Sequence, residues 1–175
     1  MPIMMPTALL LLSTMVAAAS AARTAANDEV TSLPGWSGKL PSQHYSGYLP
    51  VGSYSGSPGE LHYWLQMSEN DPATDPVIMW INGGPGASGM IGMLTELGQL
   101  QTMPSPGDDW DRTADLAATP TLYHNKYGWT KVGSLFTIEQ PKGVGFSYCT
   151  GSGSCQNTDE TTAQDTYNAA PSDCS

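Results

Sequence analysis

Asn82-Gly83-Gly84-Pro85-Gly86 concentrates the residues of this chain most suited to chemistry. Glycines let the backbone take φ > 0 and let a ligand approach the main chain, whose N–H groups attract negative charge near a helix start. The chemistry on offer is the holding of an anion. A lone Gly-Gly pair would read as a tight turn that merely redirects the chain. Three glycines, a proline and an asparagine move the balance towards the anion, without naming a reaction. Other reactive types are sparse. Glu96 sits among Leu94, Leu97 and Leu100, either as the solvent-facing position of an amphipathic helix or as a buried acid that stays protonated and donates. The histidines His44, His62 and His124 read as structural or surface residues. Asp108, Asp109, Asp111 and Asp115 lack the Asp-x-Asp-x-Asp-Gly order and terminal Glu of a calcium loop, so they read as a solvated acidic loop with no metal.

The elements that must position the glycine turn are legible on either side of it. Val77-Ile78-Met79-Trp80-Ile81 is a short apolar strand, and Met90-Ile91-Gly92-Met93-Leu94-Thr95-Glu96-Leu97 returns to helical spacing. A continuously apolar strand is expected inside a parallel or mixed sheet covered on both faces, which predicts an α/β architecture. Upstream, the runs 45–51 and 61–67 flank Gly-, Ser- and Pro-rich turn residues and predict a hairpin. Downstream, Leu135-Phe136-Thr137-Ile138 is a second buried strand, and it too ends in a glycine turn, Gly143-Val144-Gly145. Two such strand ends side by side would form opposite lips of one cleft. Residues 158–170 suit a helix, with Asp159 and Glu160 at the end the dipole favours for acids.

Composition bounds the rest. The 175 residues are 39% apolar and 13% charged, as in a globular domain or part of one, and a net charge of −10 excludes phosphate backbones and hence nucleic acid as a partner. Residues 1–22 read as a signal peptide, with an apolar core through 8–19 and small residues for cleavage. The run is too short for an anchor, so no membrane association is expected after cleavage. Residues 23–32 read as a flexible N-terminus and 171–175 as a short tail. In the oxidising compartment this implies, Cys149 and Cys155 are placed to close a small loop, leaving Cys174 over.

Together, Trp80-Ile81-Asn82-Gly83-Gly84-Pro85-Gly86-Ala87-Ser88, Glu96-Leu97-Gly98, the stretch 125–129 and Gln140-Pro141-Lys142-Gly143-Val144-Gly145-Phe146-Ser147-Tyr148 resemble the N-terminal part of a serine carboxypeptidase of the α/β-hydrolase fold. Leu33-Pro34-Gly35, Tyr45-Ser46-Gly47-Tyr48 and Tyr63-Trp64 agree, so 33–170 reads as an incomplete α/β-hydrolase domain: the N-terminal hairpin and the first part of the central mixed sheet. The resemblance implies release of C-terminal residues from peptides or proteins through an acyl-enzyme, without cofactor or metal, in an extracellular or vacuole- or lysosome-like compartment. It implies that Asn82 and the Gly83 N–H hold the substrate carboxylate, with Trp80 and Glu96 in the same network, and that the Gly84 N–H serves the oxyanion hole. A carboxypeptidase-like acyltransferase, or a noncatalytic binding product, would share this scaffold.

The sequence also departs from the family. A nucleophile elbow, Gly-x-Ser-x-Gly, is found nowhere in it, nor the Asp and His that should follow such an elbow; Ser88 lies in the glycine turn and is no substitute. These residues are therefore expected to be inactive alone. Ala87 stands where a cysteine is usual, which removes one expected disulfide.

Overall fold

The structure is a computed structural model that describes residues 25–52, 57–104, 120–150 and 155–170. The signal segment 1–22, the acidic loop with Asp108, Asp109, Asp111 and Asp115, Cys174 and the tail 171–175 lie outside the described residues.

In chain order the elements are β1 (Glu29–Val30), β2 (His44–Val51), β3 (Gly59–Gln66), β4 (Val77–Trp80), α1 (Gly89–Thr95), β5 (Leu100–Gln101), β6 (Tyr123–His124), β7 (Ser134–Ile138), β8 (Tyr148–Cys149) and α2 (Asp159–Ala169). Within the stretch expected to be flexible, Glu29 and Val30 pair with Tyr45 and His44. The main sheet runs β1-β2-β3-β7-β4, with β8 also on β3, while β5 and β6 form a separate pair. As expected, β2 and β3 form an antiparallel hairpin, in register from His44 opposite Gln66 to Val51 opposite Gly59. β7 joins β3 antiparallel and β4 parallel, so the sheet is mixed.

Alternation along β7 builds two core layers. Phe136 and Ile138 pack with Val51, Leu61 and Ala169 of α2 on one face, and Leu135 packs with Trp64, Met93 of α1 and Leu97 on the other. Helices therefore cover opposite faces of one sheet, which is the α/β layering the sequence predicts. Thr158 caps α2 by a reciprocal capping box with Thr161.

β4 departs from expectation. All of β7 is buried, yet Val77 and Met79 of β4 are 57% and 40% exposed, and only Ile78 and Trp80 pack on the α1 layer. The strand is covered on one face rather than two. Among the described residues it is outermost in the sheet, and α2 leaves an open cleft above Met79 and Ile81 instead of closing on them.

Candidate functional site

Trp80 ends β4 with its backbone oxygen accepting from Thr137 Oγ1 at 2.9 Å, and its ring packs edge-on against Trp129 at 5.8 Å. So fixed, the indole Nε1–H donates to Asn82 Oδ1 at 2.7 Å. The bond occupies the acceptor end of the Asn82 amide and leaves the NH₂ end to serve a ligand. Helix α1 packs close behind: a Cβ at Gly92 would stand 2.5 Å from Trp80 Nε1 and 2.9 Å from Asn82 Oδ1. Beyond Asn82, Gly83, Gly84 and Gly86 are exposed, and the φ of +128° at Gly84 is one that L side chains rarely adopt. Ser88 then closes the turn as the N-cap of α1, accepting from Met90 N at 3.1 Å.

The structure thus brings Trp80, Asn82, Gly83 and Gly84 together, but Glu96 stays apart. It is the exposed C-cap of α1; its backbone N–H bonds to Gly92 and its carbonyl accepts from Gln101 and Asn125, while its carboxyl makes no hydrogen bond to Trp80 or Asn82. Of the two readings the sequence left open, the solvent-facing one holds.

The second glycine turn follows β7. Glu139 is fully buried and accepts from His62 Nδ1 at 3.0 Å, from Phe146 N at 2.8 Å and from Ser88 Oγ. Burial pushes this carboxyl up, but the three donors and the charge of His62 outweigh it and hold it below the usual glutamate value. A carboxylate only accepts, so His62 Nδ1 donates to it, while Nε2 lies 2.8 Å from the Ser46 hydroxyl. Ser147 bridges the same loop to β3, donating to the Glu139 carbonyl at 2.5 Å and accepting from His62 N at 2.8 Å. Further along, Lys142 forms a buried ion pair with Asp165 of α2, and Asp165 also accepts from Gly52 N at 3.0 Å. Cys149 and Cys155 are disulfide-bonded, as their spacing allowed.

His62 is therefore structural, as expected. His44 is buried against Gln99 and Trp64, and His124 faces Glu69 at the surface. The role of Glu139 escaped the sequence reading. Its one signal was an acid directly after a largely apolar strand. The expected cleft is present: Pro85 from the first turn and Gln140 and Pro141 from the second line a cavity of about 730 Å³, with Met79, Ile81 and Tyr167.

A family model described as serine carboxypeptidase matches residues 34–170. Among similar proteins, serine carboxypeptidase 1 of Hordeum vulgare is 37% identical over 139 residues, covering 79% of this chain and 26% of that one. The lysosomal protective protein of Mus musculus is 38% identical over 121 residues, covering 69% of this chain and 22% of its own length. Among solved structures, Kex1(delta)p, a prohormone-processing carboxypeptidase from Saccharomyces cerevisiae, aligns with a TM-score of 0.54 and 30% identity over 79% of this chain and 27% of the other. The chain thus spans about a quarter of the length of these relatives.

Proposed function

This chain belongs to the serine carboxypeptidase family, and we propose that its 80–86 turn receives the C-terminal carboxylate of a peptide substrate. The Asn82 amide and the Gly83 N–H donate to the carboxylate, and the Gly84 N–H is aimed at the oxyanion of the acyl-transfer step. One such oxyanion donor is worth about 3 kcal/mol in a transition state. The observation that carries this reading is the bond from Trp80 to Asn82, which occupies the amide's acceptor and leaves its NH₂ to donate beside an exposed glycine backbone. Glu96, the exposed C-cap of α1 four residues beyond Gly92, would have to turn its side chain towards Asn82 on substrate binding to join this network. The neutral donors of Asn82 and Gly83 bind the anion without a fixed cation.

Residues 1–175 hold this binding half of a peptidase site without a Gly-x-Ser-x-Gly nucleophile, so by themselves they bind and do not cleave. A secretory-pathway location accords with the apolar run at 8–19 and with the disulfide. Calorimetric titration with N-acetyl-phenylalanine and with its carboxamide tests the binding. The carboxylate is expected to bind at least tenfold more tightly than the amide; equal affinities would refute the assignment. No serine is expected to take up a fluorophosphonate, and robust labelling would contradict the absence of a nucleophile.

A further inference from the structure

Residues 83–87 carry the exposed backbone of the proposed carboxylate site, and each end of the stretch is tied by side-chain hydrogen bonds. Asn82 is held by Trp80. At the other end Ser88 caps α1, accepting from Met90 N–H, while its hydroxyl proton goes to Glu139. We propose that Glu139 is the positioning residue of this turn: braced from behind by His62 and by Phe146 N–H, it fixes through Ser88 where the Gly83 and Gly84 donors stand. The proposal rests on the carboxylate reading of residues 80–86.

The geometry is that of a brace rather than of a satisfied core acid. The donors to Glu139 come from three separate elements: β3, the start of α1 and the loop that carries Phe146. Gly145 makes room for the carboxylate, since a Cβ there would lie 1.9 Å from Oε1. Behind it, the orientation of His62 is set at both nitrogens, by Glu139 and Ser46, and its ring stacks edge-on with Phe146 at 5.2 Å and Tyr48 at 5.4 Å. His62 is the titratable side chain that meets Glu139 from β3. Helix α1 and residues 83–88 carry no acid or base, and Lys142 of Glu139's own loop is engaged with Asp165 of α2. Ser88 donates to one carboxylate oxygen while His62 and Phe146 N–H share the other, so protonating Glu139 removes acceptor capacity at one of them and the turn responds to acid through this one carboxyl.

Amide NMR of the ligand-free chain between pH 3 and 7 tests the proposal in wild type, Glu139→Gln and Ser88→Ala. Glu139→Gln leaves the Ser88 cap on Met90 intact, yet it is expected to move the Gly83, Gly84 and Phe146 resonances together and to abolish an acid titration seen at Gly83 and Gly84 in wild type. Ser88→Ala is expected to move Gly83 and Gly84 while Phe146 stays in place; if Glu139→Gln fails to fold, this variant decides. Affinity for N-acetyl-phenylalanine should fall about tenfold in either variant. Gly83 and Gly84 amides that stay in place in Ser88→Ala, or that still titrate in Glu139→Gln, would overturn the proposal. Should wild type bind no N-acetyl-phenylalanine, the carboxylate reading fails, while the resonances of the free chain still decide whether Glu139 positions the turn.

Discussion

Two glycine turns end two neighbouring parallel strands, and they are built in opposite ways. After β4, residues 83–86 are exposed and tied only at the margins, by Trp80 on one side and Ser88 on the other. After β7, the loop is held throughout: by the donors to Glu139, by Ser147 bridging to β3, by Lys142 on Asp165, and by the disulfide that follows. A Cβ at Gly83 would meet open space, whereas one at Gly145 would strike the Glu139 carboxylate. Similar composition therefore serves presentation in one place and bracing in the other, and Glu139 joins the two.

The comparison breaks most severely at Lys142. Lys142→Met leaves Asp165 buried without its cation, and urea unfolding should show a loss of about 3–5 kcal/mol; a loss below about 1 kcal/mol would mean that the second turn does not depend on the pair. Gly92→Ala attacks the first turn from beneath. Its Cβ has no room beside Trp80 and Asn82, so thermal denaturation should report about 1–3 kcal/mol of destabilisation, accompanied by lost carboxylate binding. Trp80→Phe is gentler on the fold, about 1 kcal/mol for one hydrogen bond. It still frees the Asn82 amide to flip, so affinity should fall more than stability; unchanged affinity would remove Trp80 from the site.

Acid sharpens the contrast with no effect at neutral pH. The folded Glu139 value lies below the ordinary 4.5, so its stabilisation is complete above the unfolded value and is lost as pH falls through the folded one. His44 acts in a higher window. Burial lowers its value from 6.5 against the opposing bond that it donates to Gln99 Oε1 and the charge of Glu69, so stability declines as pH drops below that ordinary value towards the folded one. Melting temperatures from pH 3 to 7 should show both slopes in wild type and a shallower lower slope in Glu139→Gln, since Glu69 and Asp75 are also held below their ordinary values and keep part of it.

Much of this was legible from spacing. Alternation and turn residues announced the β2–β3 hairpin, the apolar run announced β7, and acids beside Thr158 announced α2. The open face of β4 was not legible, because an apolar run records what a strand can bury and not which neighbours it meets; its place at the sheet margin is a matter of topology. Glu139 was hidden for the same reason. Its side-chain partners His62 and Ser88 lie 77 and 51 residues away, and only the β3–β7 pairing and the packing of α1 bring them together. Glu96 shows the converse: its sequence neighbours place it on the helix, but α1 ends at Thr95 and leaves it exposed at the C-cap.

Amide shift mapping with saturating N-acetyl-phenylalanine tests the division of labour between the turns most directly. The account predicts that the Gly83 and Gly84 amides and the Asn82 side-chain amide move, while the Gly143, Gly145 and Ser147 amides stay in place. Shifts confined to the second turn, or spread equally over both, would contradict it.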